Sequence, residues 1–407
     1  MKRNIVLIVV ILLIVGAIAY LNAQKVKPSR SGEASSEIPV SPQIFENAAA
    51  PVESADTLGQ SPEAISEASN GPATTAANRI KAKASQYDRA KEVTTPDGFI
   101  NTAGVKISDL VGAKVILVDF WTYSCINCQR TTPYLNAWYE KYRDQGLEII
   151  GLHTPEFEFE KKYENVQKAV EQFNIKYPVV LDNDYSTWFA YQNRYWPRKY
   201  LIDIDGFIIY DHIGEGGYAE TERKIQEALK ERLAVLGEQG AVASDVAVPE
   251  NAENVDFTKP RSPEIYFGSR RNSDLGNGQP ATEPQSFVLP AEPKTNILYL
   301  EGEWKFTDEY AENISGKSKI VFRYQGQKVF MVASGDEEIQ VTVTLDGQPL
   351  SDAGARGQDV ISGERVDFLG VKDERLYRII EAPVWGEHTL ELQIESPGLR
   401  VFTLTFG

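Results

Sequence analysis

The chain has 407 residues, with 42 Lys and Arg against 58 Asp and Glu and a net charge of −16. So acidic a chain lacks the basic footprint that nucleic-acid binding needs, which excludes nucleic acid as a partner. Its length leaves room for two or three domains, and 42% hydrophobic residues are enough for well-packed cores.

The first element is a run of seventeen residues without a charge, Ile5 to Leu21, behind Met1-Lys2-Arg3-Asn4. This is the short limit for a membrane-spanning helix and longer than most signal-peptide cores. Residues 1–23 are expected to form an uncleaved transmembrane anchor; Ala17-Ile18-Ala19 is the cleavage site on the alternative reading. Lys2 and Arg3 precede the span and Lys25, Lys27 and Arg30 follow it, so basic residues do not set its orientation. A short tail ahead of a large body favours export, with the body facing the periplasm or cell exterior. Residues 24–91 are rich in Ala, Ser, Pro and Glu without a sustained apolar period, and are expected to be a disordered tether, with room for a short helix near Asn78 to Lys91.

Residues 92–236 read as an α/β domain. Phe99 to Gly104 suggests a hairpin. Val115-Ile116-Leu117-Val118 has the aliphatic, β-branched character of a strand buried on both faces, and Leu147 to His153 is a second. Tyr163, Val166, Ala169, Val170 and Phe173 carry a helical period over 160–173. A short strand at Val179 to Leu181 and a helical turn over 184–191 follow. Lys199 to Asp203 and Phe207 to His212 flank Asp205-Gly206, a hairpin signal, and Ala219 to Leu236 closes the domain as a helix.

Between the first strand and its helix lies Cys125-Ile126-Asn127-Cys128, and these are the two cysteines of the sequence. A strand feeding a helix that starts at CxxC is the context of a redox motif, because unpaired N–H groups and the helix dipole favour a thiolate there. An internal disulfide, if formed, is Cys125–Cys128, and this redox pair needs no other cofactor. One CxxC offers a metal two soft ligands, and His153, His212 and His388 lie far off without ligand spacing, so no metal site is expected. A staple across so short a loop would constrain little. No Pro-x-x-x-Thr-x-x-Cys pattern precedes either cysteine, which argues against a peroxidase. Asp119 follows four residues of buried type, a costly place for a carboxylate unless it is partnered or protonated.

The pattern Asp119-Phe120-Trp121 leading to Cys125-Ile126-Asn127-Cys128, with Tyr195-Trp196-Pro197-Arg198-Lys199-Tyr200-Leu201-Ile202-Asp203 after it, resembles the TlpA/DipZ-like thioredoxins over about 99–236. The resemblance implies a thioredoxin-like fold and an envelope-exposed thiol–disulfide oxidoreductase acting on disulfide-containing envelope proteins. It implies Cys125 as attacking thiol, Cys128 as resolving thiol and Asp119 as the acid that relays the resolving proton. Pro197 is implied as a cis-proline facing the disulfide, with Trp196 and Trp121 on the substrate groove. Strong oxidants of this fold carry a His or similar group between the cysteines; Ile126-Asn127 is neutral, which points to a low potential and a reductant or isomerase. A disulfide-forming oxidase of the same fold is the first rival. A glycan- or protein-binding molecule with an incidental CxxC is the second.

Residues 237–260 read as a linker, and 261–407 as many short strands without a helical period, an all-β sandwich or jelly roll. Without Cys, a His cluster or a Gly-rich phosphate loop, catalysis is not expected there. The order of domains is similar to the extracytoplasmic half of DipZ-type proteins, whose last domain resembles a carbohydrate-binding module. A glycan ligand follows by analogy alone, and Trp304 and Trp385 read first as core. The polytopic electron-importing domain of that family has no counterpart here, so the resemblance implies a separate membrane electron donor.

Overall fold

The computed structural model describes residues 72–407 apart from 254 and 365. The expected anchor and the first part of the tether lie outside the described residues. Among the described residues no helix is long and apolar enough to cross a membrane.

The first domain is built on strand β2, Val115–Trp121, all seven residues of which are buried. It is flanked by β3, Leu147–His153, running parallel, and by β5, Arg198–Ile202, running antiparallel. With β1 (Gly98–Ile100), β4 (Val179–Leu181) and β6 (Ile208–Ile213) they form a six-stranded sheet in the order β1-β4-β3-β2-β5-β6. Successive residues of a strand face opposite ways. Val115 and Leu117 thus pack against Leu135, Trp138 and Tyr142 of helix α2, Ile126–Tyr142, and against Ile225 and Leu229 of α5, Tyr218–Leu236. Helix α3, Tyr163–Gln172, joins this face through Val166, Ala169 and Val170. Ile116, Val118 and Phe120 meet Trp188 of α4, Ser186–Ala190, and Ile107. The same alternation puts Asp119 on the α2 face, level with the start of that helix.

Two expectations for this region are corrected. Phe99 to Gly104 is not a hairpin: β1 pairs antiparallel with β4, far along the chain, and Asn101 turns the backbone at φ 63° while its amide donates to the carbonyls of Ile175 and Tyr177. Nor is the tether disordered to residue 91. Helix α1, Pro72–Ala84, docks on the β5–β6 turn, where Gly206 adopts φ 85°. Lys83 lies 2.6 Å from Asp203, 3.0 Å from Asp205 and 2.5 Å from Glu231, and Arg79 pairs with Asp205 at 2.7 Å. The helix overlaps the short one left open near 78–91 but begins earlier, at Pro72, and what holds it is charge complementarity with a turn more than 100 residues away. Asp203 is fully buried. Lys83→Met strands that charge and is expected to cost about 2–3 kcal/mol, read as a lower urea midpoint.

The described residues of 237–260 form no regular helix or strand, yet Val242 is buried against the first domain. The all-β domain follows: β7 (Ile265–Tyr266), β8 (Gln285–Phe287), β9 (Leu298–Phe306), β10 (Ala311–Asn313), β11 (Ser318–Ser334), β12 (Ile339–Leu345), β13 (Gln348–Pro349), β14 (Val360–Ser362), β15 (Asp367–Val371), β16 (Arg375–Ile394) and β17 (Arg400–Phe406). Its hydrogen bonding makes one eleven-stranded sheet, not the two separate sheets of a sandwich. The reason is the length of β11 and β16. They pair with each other on both sides of register shifts at Gly326/Lys328 and Val329/Phe330. The first half of β11 bonds to β9 and the second half to β17, while β10 joins β9 to β17. The strands thereby wrap one core that contains Trp304, Tyr324, Met331 and Leu392.

The outward residues of this turn of sheet are apolar as well. Phe330, Val332, Leu376, Phe402 and Tyr266 belong to the same buried cluster as Phe157, Phe159 and the α2 core. Phe402 packs with its ring centre 5.1 Å from that of Phe157, tilted, and 4.8 Å from that of Phe159, edge to face. Polar contacts surround this seam. Tyr123 donates to the Glu374 carbonyl at 3.0 Å, Lys162 pairs with the Glu374 carboxylate at 2.7 Å, and Arg271 pairs with Glu156 at 2.7 Å.

Candidate active site

Cys125 occupies the N-cap of α2 with extended backbone, φ −78° and ψ 119°, and its carbonyl accepts the first helical bond from Gln129. The first turn of α2 carries no acidic side chain, so the positive end of the helix dipole faces the sulfur without competition. Cys125 is half-buried and Cys128, one turn on, is buried; both stand as free thiols. Burial, and next the adjoining Cys125, hold the Cys128 thiol well above its ordinary pKa.

The peptide bond Trp196–Pro197 is cis, and the Trp196 carbonyl oxygen lies 4.0 Å from the Cys125 sulfur. Trp196 is partly exposed, donates its indole N–H to the Thr154 carbonyl at 3.0 Å, and packs on Trp188 with ring centres 4.3 Å apart. Pro197 is buried, its carbonyl accepting from Gly214. Trp121 differs from expectation. It is buried, not groove-lining, because β2 runs on through it and its ring meets His153 edge-on at 5.1 Å. It supports the redox loop from beneath.

Beneath Cys128 lies Asp119, only 2% exposed, with Oδ1 lacking a hydrogen-bond partner. Burial pushes its carboxyl up to about 7, with Lys199 pulling the other way. Lys199 is the cross-strand neighbour of Asp119 on β5, and is completely buried. Its ammonium donates to the Gly214 carbonyl at 3.0 Å. Burial depresses its pKa, opposed by Asp119, Cys128 and Glu215. On the other side of Asp119 is Gly151, where a Cβ would meet the Trp121 indole nitrogen at 3.0 Å and Tyr177 at 3.1 Å. The site thus combines one half-buried sulfur, one buried thiol, and a carboxyl and an ammonium on neighbouring strands in a dry interior.

Lys199 was not singled out from sequence. Its signal was available: a lysine one residue before Tyr200-Leu201-Ile202, at a strand position whose alternation turns it inward. Glu160 was also passed over; it is completely buried and accepts from the Ser124 hydroxyl at 2.6 Å.

A mixed sheet with a helix-capping cysteine, a buried second thiol and a cis-proline beside them defines a dithiol site of thioredoxin class. Residues 87–211 match the AhpC/TSA family and residues 262–407 match the thioredoxin-like C-terminal domain. Protein DipZ of Mycobacterium bovis is 36% identical over 322 residues, covering 77% of this chain and 43% of its own length. Thiol-disulfide oxidoreductase ResA of Bacillus cereus is 32% identical over 123 residues, covering 30% of this chain and 68% of its own. Thiol-disulfide oxidoreductase YkuV of Bacillus subtilis is 28% identical over 140 residues, covering 34% of this chain and 93% of its own. The chain belongs to the DipZ/TlpA-like thioredoxin family. It spans less than half the length of the DipZ relatives it matches.

Proposed function

We propose that this protein is a membrane-tethered, extracytoplasmic reductant of protein disulfides. The observation that carries the reading is the asymmetry of the dithiol: Cys125 half-buried at a helix N-cap, Cys128 buried above Asp119 and Lys199. The Cys125 thiolate attacks one sulfur of a substrate disulfide, forming a mixed disulfide and releasing the other sulfur as a thiol. Cys128 passes its proton to ionised Asp119 and attacks the Cys125 sulfur, which releases the second substrate thiol and leaves the Cys125–Cys128 disulfide. A membrane dithiol donor returns two electrons and two protons. The partly exposed Trp196, with its carbonyl beside Cys125, and Pro197 bound the face that the substrate strand meets.

Two features support the reductive direction. Ile126-Asn127 brings no cation to the thiols, and burial disfavours a thiolate at Cys128, so the reduced form gains little of the charge stabilisation that makes a strong oxidant. The apolar run Ile5 to Leu21, followed by an Ala/Ser/Pro/Glu-rich stretch, supports tethering and an envelope setting. Glutathione equilibration of the Cys125–Cys128 couple is the test. A potential below about −200 mV is expected; one near about −120 mV overturns the reductive reading in favour of an oxidase.

A further inference from the structure

The run Thr154-Pro155-Glu156-Phe157-Glu158-Phe159-Glu160 follows β3 and touches three parts of the molecule at once. Thr154 donates its N–H to the Trp121 carbonyl at 3.1 Å and accepts from the Trp196 indole at 3.0 Å, so it bridges the redox loop and the cis-proline loop. Phe157 and Phe159 pack on Phe402 of the all-β domain, and the Glu156 carboxylate takes Arg271 at 2.7 Å and the Tyr266 hydroxyl at 3.0 Å. Glu160 is the inner end of the run and is completely buried. Four donors converge on its two oxygens. Oε1 accepts from the Ser124 N–H at 3.3 Å and the Ser124 hydroxyl at 2.6 Å; Oε2 accepts from the N–H groups of Glu156 at 2.5 Å and Phe157 at 3.0 Å.

We propose that Glu160 is a positioning residue of the redox centre, through which the all-β domain fixes the backbone that presents Cys125. Ser124 immediately precedes the capping cysteine, so whatever holds Ser124 sets where the Cys125 sulfur stands relative to the Trp196 carbonyl and to Cys128. Glu160 holds Ser124 with one oxygen. With the other it holds the loop whose phenylalanines are seated on Phe402. A carboxylate is required by the count of donors: an amide has one acceptor oxygen and would turn an NH2 toward two of the four N–H and O–H groups. Burial, and next the nearby Glu156, push Glu160 up to about 7, against the pull of its bonds to Ser124 and Phe157. A carboxylate kept in so dry a place is costly unless its bonds serve a purpose. The all-β domain is therefore part of the redox centre's framework and not a passenger.

The test compares Glu160→Gln, Ser124→Ala and the double variant in the full chain. It reads the iodoacetamide alkylation rate of Cys125, the dithiol reduction potential, kcat for insulin reduction, and the melting temperature. Glu160→Gln is expected to change the Cys125 alkylation rate at least threefold and to lower kcat about tenfold with KM nearly unchanged. Ser124→Ala is expected to do the same to a lesser degree, and the double variant to match Glu160→Gln alone, because both sit on one interaction. Glu158→Gln, at an exposed position of the same run, should leave all four readouts in place. A Glu160→Gln protein with a lower melting temperature but unchanged alkylation rate, potential and kcat overturns the proposal, as do fully additive effects in the double variant. Should Glu160→Gln not fold, Ser124→Ala alone decides, and an unaltered alkylation rate and kcat there overturn it.

Discussion

Cys125→Ser is expected to leave no measurable disulfide reductase activity, a loss of at least about a thousandfold, while the fold is retained. The thiolate is the nucleophile in disulfide exchange, and a serine hydroxyl at neutral pH is neither ionised nor able to exchange with sulfur. Cys125 is the half-buried member of the pair and the one beside the Trp196 carbonyl, so the first attack falls to it. Cys128 is 2% exposed and has no route to a substrate before the mixed disulfide forms. Cys128→Ser should therefore give the opposite phenotype: attack proceeds, resolution fails, and Cys125 stays bonded to its substrate as a band that reducing agent removes from a gel. Alkylation is expected to give the same ordering in the native protein, with Cys125 labelled first and Cys128 only on unfolding. Retained turnover in Cys125→Ser, or faster labelling of Cys128, would reverse the assignment of roles.

The redox centre was legible because its parts are local. Val115 to Trp121 declares a buried strand by composition, the CxxC that follows lies at a helix start, and an aspartate behind four aliphatic residues announces an anomaly. What stayed hidden depends on distant chain. Lys199 looks like the polar tip of a hairpin strand until β5 is laid against β2 and the lysine falls opposite Asp119. Glu160 ends an alternation of Glu and Phe that reads as a surface segment, and becomes an interior ligand of Ser124 where the all-β domain covers the two phenylalanines that precede it. Helix α1 is held by carboxylates of the β5–β6 turn, to which local propensity is blind. The all-β region was recognisable from its short alternating stretches. Its single wrapped sheet was not, because β11 and β16 are far longer than the short strands expected and pair on both sides of a register shift at Gly326 and Gly386. Trp121 shows the converse error. A tryptophan near a reactive cysteine resembles a substrate platform, but its place in β2 turns it inward.

Asp119→Asn is expected to stabilise the protein and to slow it, and the two effects should separate by pH. The carboxyl has an ordinary value of 3.8 and is pushed up to about 7 in the fold. Between those limits the folded protein carries a proton that the unfolded chain has lost, so stability falls as pH rises through the window, by on the order of 4 kcal/mol at pH 8. Asparagine keeps the shape and removes the titration. It also removes the favourable neighbour of buried Lys199, which offsets part of the gain. A net increase of about 2 kcal/mol at pH 8, vanishing near pH 4, should appear in urea melts. Glu160, pushed up over the same range, keeps its own contribution in both proteins, so the variant flattens the pH dependence without abolishing it. Turnover moves the other way. Ionised Asp119 is the acceptor that lets the buried Cys128 thiol attack, so in the native protein resolution should quicken as pH rises through about 7. The variant should lack that rise, run about five- to tenfold slower at pH 8, and converge with the native protein near pH 5.5, where the native carboxyl is already protonated. A rise of equal size in both proteins would mean that Cys128 loses its proton to something other than Asp119, and Lys199, the other titratable group beside both, would then be the residue to replace.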